Sequence, residues 1–157
     1  MSINRGKQFE LKLKEDFEKI PNCFIYRLQD QVSGYKTTSQ NVCDFIVYMS
    51  PLLFLIEVKT ISGNTFPLSN LSQLDKLRRY ENITGVRRGV VLWFTEKDRI
   101  IYVPVKTIEK MLTDGKKSVN IRTIDNDGYD YIDIPSIKKR VFFDSDYSVL
   151  MNLPENW

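Results

Sequence analysis

Residues 42–60, VCDFIVYMSPLLFLIEVKT, hold two apolar, β-rich runs separated by Ser50-Pro51. That arrangement predicts a β-hairpin. The runs carry three charges, Asp44, Glu57 and Lys59, at places where a core strand would carry none. A charge in such a segment is costly to desolvate unless it is paired or binds a metal, so its placement needs a chemical reason. On the second strand, period-two alternation puts Leu53, Leu55, Glu57 and Lys59 on one face and Phe54, Ile56 and Val58 on the other. Asp44 shares its face with Ile46 and Tyr48 near the start of the first strand, while Glu57 and Lys59 lie near the end of the second. Those ends are adjacent in an antiparallel pair, so the three charges meet. The alternative is a solvated face on which Glu57 and Lys59 form an ordinary surface pair. Leu53 and Leu55 on the same face argue against it.

Outward from the hairpin, residues 3–20 read as an amphipathic helix, with Phe9, Leu13, Phe17 and Ile20 at three- and four-residue spacing, Glu10 on the border of that stripe and Pro21-Asn22 as its stop. A strand is expected at about residues 23–28. Residues 29–41 turn polar and predict a loop, protruding hairpin or short stalk. After the hairpin, Ser62-Gly63-Asn64-Thr65 makes a turn, Ser69 or Asn70 offers an N-cap, and a helix is expected from Leu71 to about Tyr80. Its inward row is Leu74, Leu77 and Tyr80, or Gln73, Leu77 and Tyr80. Residues 89–95 and 100–104 predict two further strands around a turn at Glu96-Lys97-Asp98-Arg99, and residues 106–112 a helix with Gly115 near its C-terminus. Beyond lie Asp- and Gly-rich loops, a short run at residues 131–134 and the aromatic Val141-Phe142-Phe143 segment. The pattern is that of one α/β domain over residues 1–157.

Composition narrows the chemistry. The chain is 42% hydrophobic and 27% charged, with a net charge of +3. Residues 113–157 hold six Lys or Arg against eight Asp or Glu, a net of −2, which leaves +5 on residues 1–112, where the candidate site lies. No apolar run reaches the roughly 18 residues of a membrane span, and residues 1–7 lack a hydrophobic signal core, so a cytoplasmic protein is expected. Cys23 and Cys43 have no metal-ligand spacing, and a buried thiol is the expectation for Cys43. The chain has no histidine, which removes Ser-His-Asp hydrolases, Cys-His proteases and most zinc hydrolases. Carboxylate, amide and lysine chemistry remains. Those oxygen ligands suit hard cations such as Mg²⁺, with Mn²⁺ as a substitute.

Phosphodiester hydrolysis needs a cation to polarise the phosphate and activate water, and a cationic group to stabilise transition-state charge. Asp44 and Glu57 are candidate metal ligands, the Val58 carbonyl between Glu57 and Lys59 a further one, and Lys59 the group that reaches the water or phosphate. For DNA contact the candidates are Lys76, Arg78, Arg79, Arg87 and Arg88, with Tyr35 and Lys36 on the polar loop; basic groups neutralise phosphates and an aromatic stacks on a base. A solvated helix face is the alternative for these residues.

Asp44 with Glu57-Val58-Lys59 across a hairpin, after a helix carrying Glu10, resembles the PD-(D/E)xK nuclease core. Within that superfamily, Phe66-Pro67-Leu68-Ser69-Asn70-Leu71-Ser72-Gln73-Leu74 resembles the RecU-type Holliday junction resolvases, particularly small phage-encoded relatives. The similarity covers roughly residues 6–112. It implies a mixed central β-sheet flanked by helices in a restriction-endonuclease-like core. It also implies a homodimer that binds four-way DNA junctions and nicks two strands symmetrically with Mg²⁺, in the host cytoplasm if phage-encoded. By position it implies Asp44, Glu57 and Gln73 as metal-site residues, Lys59 as transition-state stabiliser and Glu10 as a supporting acid. The chain has Val42-Cys43-Asp44 where the family usually has Thr-Thr-Asp, and the segment matching the family's stalk carries only Lys36 as a clear cation. The competing readings are a restriction-type or other duplex nuclease on the same core, and a non-catalytic DNA-binding recombination module.

Overall fold

The computed structural model describes residues 4–29 and 41–157. The polar loop with Tyr35 and Lys36 lies outside the described residues, except for its two ends, where Asn41 Nδ2 donates to Gln29 O at 2.6 Å. In chain order the regular elements are α1 (Arg5–Glu18), β1 (Cys23–Arg27), β2 (Phe45–Met49), β3 (Leu52–Ile61), β4 (Thr65–Pro67), α2 (Leu74–Arg78), β5 (Val86–Phe94), β6 (Arg99–Pro104), α3 (Val105–Thr113), β7 (Ser118–Asn120), β8 (Ile132–Asp133), β9 (Ser136–Lys138) and β10 (Phe143–Ser145). Among the described residues no helix is long and apolar enough to cross a membrane.

Six strands form the central sheet, in the order β1-β2-β3-β5-β6-β8. The β3–β5 pair is parallel and its other neighbours are antiparallel. This is the expected mixed sheet flanked by helices. The hairpin register pairs Phe45 with Ile56 and Met49 with Leu52 around Ser50-Pro51, whose peptide is cis. Alternation then splits β3 between two cores. Phe54, Ile56 and Val58 join Phe9, Leu13 and Phe17 of α1 on one face, and Leu55 joins Leu74, Leu77, Ile108 and Met111 of α2 and α3 on the other.

α1 starts where Asn4 accepts a bond from Lys7 N at 3.3 Å, and its stripe of Phe9, Leu13 and Phe17 is buried against the sheet. The aromatic segment after β9 belongs to the same core. Phe142 and Phe143 pack on Trp93, and Tyr147, in a 3₁₀ turn spanning Tyr147–Asn152, stacks on Phe17 with ring centroids 4.5 Å apart. Phe142 and Phe143 therefore close the α1 core, and only Val141 of that segment is exposed. The β4–β7 ladder is a further feature that short, mixed sequence did not signal.

The segment around α2 and the start of β5 differ from expectation. The helix expected over residues 71–80 is confined to Leu74–Arg78 and follows a 3₁₀ turn at Leu68–Asn70, so Ser69 and Asn70 sit inside that turn and cap nothing. Leu68, Leu71, Leu74 and Leu77 are all buried, but Leu71, at φ −90° and ψ 77°, leaves the helical region and separates the 3₁₀ turn from α2. Tyr80 falls outside and is 37% exposed. β5 starts three residues earlier than expected because Val86 already pairs with Leu53, which draws Arg87 and Arg88 into the sheet. Gly89 on this strand leaves room for Tyr102, since a Cβ there would lie 2.2 Å from that ring. At the end of α3, Gly115 has φ +80° and Lys116 N bonds back to Met111 O at 2.9 Å, the expected glycine stop.

Candidate functional site

The start of β2 builds the site. Main-chain pairing continues one residue past Phe45, with Asp44 N donating to Ile56 O at 3.1 Å and Leu28 N donating to Asp44 O at 2.9 Å. With its backbone clamped between β1 and β3, Asp44 turns its carboxylate across the strand end, where Oδ2 accepts from Val58 N at 2.7 Å. A residue's N–H and C=O leave a strand on the same side, so the Val58 carbonyl also points toward the space ahead of the start of β2. It is a third oxygen beside the two carboxylates.

Glu57 lies on the face shared with Leu55 and is 0% exposed. Lys59, two residues on, places Nζ 2.7 Å from Glu57 Oε1, while Oε2 has no hydrogen-bond partner. Burial pushes the Glu57 carboxyl up to about 7, with the charge of Asp44 adding to the effect and Lys59 opposing it. Burial also raises Asp44, against the Val58 N–H and Lys59, which lower it. The three hairpin charges thus meet as the alternation requires. The solvated-pair alternative fails on the burial of Glu57.

Glu10 comes from α1 and pairs with Arg27 on β1, Nε to Oε2 at 2.7 Å. Its charge raises both Asp44 and Glu57, whereas Arg27 lowers Asp44. Arg27 was missed in the sequence; the available signal was a basic residue at the end of the strand beside Asp44. Among the described residues no group of three or more His, Cys, Asp or Glu is able to hold a metal. The donor set that fits a hard cation is therefore two carboxylates and a carbonyl, with an unpartnered buried oxygen on Glu57 as the clearest position for it.

Gln73 is the N-cap residue of α2, and its amide oxygen accepts from Ser72 Oγ at 2.7 Å. No hydrogen bond or ion pair among the described residues joins it to Asp44, Glu57 or Lys59. Cys43 is 2% exposed and donates its thiol to Phe45 O at 3.2 Å. Burial pushes that thiol up to about 12, so it is a neutral packing group.

The basic candidates scatter. Arg78 is paired with Asp75 at 2.7 Å and Glu109 at 2.6 Å, Arg79 is exposed, and Lys76 is half-buried. Arg88 donates to Leu77 O at 3.1 Å and is half-buried. Arg87, another candidate for DNA contact, is only 8% exposed.

A family model described as RecU: Recombination protein U matches residues 5–141. Among solved structures, the chain is similar to Archaeoglobus fulgidus Hjc, described as a Holliday junction resolvase from an archaeal hyperthermophile. The identity is 16% and the TM-score 0.51, over 78% of this chain and 92% of that one. This likeness bears on the fold, which is restriction-endonuclease-like. No curated protein matches the chain.

Proposed function

The chain belongs to the recombination protein U family, and on that premise we propose that it is a divalent-metal-dependent Holliday junction resolvase, an endonuclease that nicks two opposed strands of a four-way DNA junction symmetrically. The observation that carries the chemistry is Glu57, a fully buried carboxylate with one oxygen unpartnered and Lys59 Nζ 2.7 Å from the other. A buried charge in that condition is costly, and functional sites are where such a cost is retained.

Asp44, Glu57 and the Val58 carbonyl would hold Mg²⁺, or Mn²⁺ in its place. When bound, the cation polarises the scissile phosphate and lowers the pKa of the attacking water. Lys59 supplies the positive charge that stabilises the extra negative charge on the phosphate oxygens in the transition state. The Val58 N–H holds the Asp44 carboxylate in one orientation, so little reorganisation is needed before reaction. Glu10 acts from the rim, by its charge and by holding Arg27. Gln73, at the N-cap of α2, would offer the free lone pair of its amide oxygen, whose other one accepts from Ser72.

Symmetric nicking requires two such sites, so the active form is a homodimer of single nuclease domains. Apolar surface for it exists on β1 and β2, where Phe24, Tyr26 and Tyr48 are 56%, 53% and 42% exposed. Exposed Arg79 and the polar segment with Tyr35 and Lys36 are the DNA contacts in this reading.

The decisive test is cleavage of a synthetic four-way junction by wild type, Asp44→Asn and Lys59→Ala, with and without Mg²⁺. Wild type with Mg²⁺ should release symmetric nicks, and Asp44→Asn should bind the junction without cutting it. An intact junction, or linear duplex cut just as readily, would overturn the proposal.

A further inference from the structure

The end of the sheet opposite the carboxylates contains a cleft of about 730 Å³, bounded by the starts of β3 and β5, the 81–85 loop, the start of α3 and residues 155–157. Arg87 lines it while being only 8% exposed. Its Nε is buried with no hydrogen-bond partner, and Nη1 reaches only Val86 O, at 3.5 Å. No ion pair to Arg87 is present among the described residues. A guanidinium is always charged and is almost never buried without an anion. The Tyr102 hydroxyl close by is raised by burial and so stays protonated, which leaves it unable to serve as that anion.

Further positive groups border the same cleft. Arg88 lines it from the other face of β5, and Lys106 lines it from the first turn of α3. Lys106 Nζ is held by Asn156 O at 2.9 Å, beside the cleft. α3 begins after Pro104 with no side chain capping it, so the N–H groups of its first turn add positive potential. Glu81 and Glu155 also line the cleft, and both are exposed, so the acidic groups sit at its rim and the unpaired arginine at its floor.

We propose that this cleft binds a terminal phosphate monoester, either of a free nucleotide-like compound or at the 5′ end of a DNA strand. A terminal phosphate is narrow enough to reach a recessed guanidinium and presents several oxygens to its fork of donors. An internal phosphate of a duplex is held on a wide cylinder and cannot descend to a side chain this buried. The cleft is also distinct from the carboxylate site: Arg87 is level with Phe54 on β3, three residues before Glu57, or roughly 10 Å along the strand. The cleft opens beyond the strand starts, away from Lys59. This site does not depend on the nuclease reading.

The test uses the full chain in EDTA, so that no DNA is cut. Inorganic phosphate is titrated by calorimetry and thermal unfolding at constant ionic strength, beside a 5′-phosphorylated and a 5′-hydroxyl oligonucleotide of one sequence. Saturable binding of one phosphate per chain is expected, weakened at least tenfold by Arg87→Met and a few-fold by Lys106→Gln. A preference for the 5′-phosphorylated strand that Arg87→Met removes identifies a strand end as the source; equal binding of both strands alongside phosphate binding identifies a free compound. No saturable phosphate binding by wild type, or unchanged binding by folded Arg87→Met, overturns the proposal. Lys106 is exposed, so if Arg87→Met fails to fold, wild-type phosphate affinity in Lys106→Gln overturns it as well.

Discussion

Among the described residues two carboxylates are buried, Asp16 and Glu57, and they are treated in opposite ways. Asp16 on α1 is 3% exposed, ion-paired with Lys12 and with Lys19 at 3.1 Å, and accepts the Ser145 backbone N–H at 3.1 Å. Every bond it makes ties α1 to itself or to β10. Glu57 is 0% exposed and has one neighbouring cation, one bare oxygen and a second carboxylate beside it. The first charge has been satisfied by the fold; the second has been left short of partners. A satisfied buried charge reads as structure, and an unsatisfied one reads as a place that expects a ligand.

The strongest way to break this contrast is to neutralise the short-handed group. Glu57→Gln, Asp44→Asn and Lys59→Ala should each lower single-turnover junction cleavage by ~10³-fold or more, the scale seen when one transition-state-stabilising group is removed. Glu57→Gln should meanwhile leave the metal-free protein as stable as wild type or more so, because it removes a buried charge. A Glu57→Gln protein that unfolds more easily in EDTA would make Glu57 structural after all.

The next test is pH. Glu57 titrates at about 7 in the folded chain against an ordinary value of 4.5, so the folded state holds its proton more tightly than the unfolded one. Its contribution to stability is then fully present below about pH 4.5 and is lost as pH rises through 7, by on the order of 3 kcal/mol. Asp44 is raised as well and acts in the same direction. Urea unfolding in EDTA should show the decline, and Mg²⁺ should restore more stability at pH 8 than at pH 6. A metal effect independent of pH would count against cation binding to these carboxylates.

Asp16→Ala should show the opposite profile. It leaves the Ser145 N–H without its acceptor and Lys12 with Asp144 as its remaining partner, which costs about 1–3 kcal/mol in urea unfolding while leaving cleavage per folded molecule unchanged. Smallest of all, Lys19→Ala removes a partner that is 63% exposed and should cost under about 1 kcal/mol, because Asp16 keeps Lys12 and the backbone. A larger loss would mean that Asp16 is less well satisfied than its bonds suggest.

The hairpin was legible because one face of a strand repeats every second residue. That rule alone put Glu57 with Lys59, and the antiparallel turn brought Asp44 to them. The α1 stripe was equally plain, since Phe9, Leu13 and Phe17 all reach the core. The segment around α2 was harder to read. Leucines at 68, 71, 74 and 77 fit one face of a single helix, whereas Leu68 N is held by Lys117 O beside the β4–β7 ladder and the chain breaks at Leu71 before α2 begins. The burial of Arg87 was not legible for a related reason, since it follows from the pairing of β5 with its parallel partner β3.

From sequence alone came the residue types and their local periodicity: a histidine-free set of oxygen ligands, three charges on a hairpin and a stripe of large side chains on α1. Tertiary structure decided what each charge was given. Whether a carboxylate is satisfied depends on groups far away in the chain, such as the Ser145 N–H for Asp16 and the burying layer over Glu57. The same holds for Arg87, whose side chain is placed by the register of β3 against β5. Spacing along a strand fixes direction, but solvation and pairing are set by what packs across it, and no local pattern encodes that.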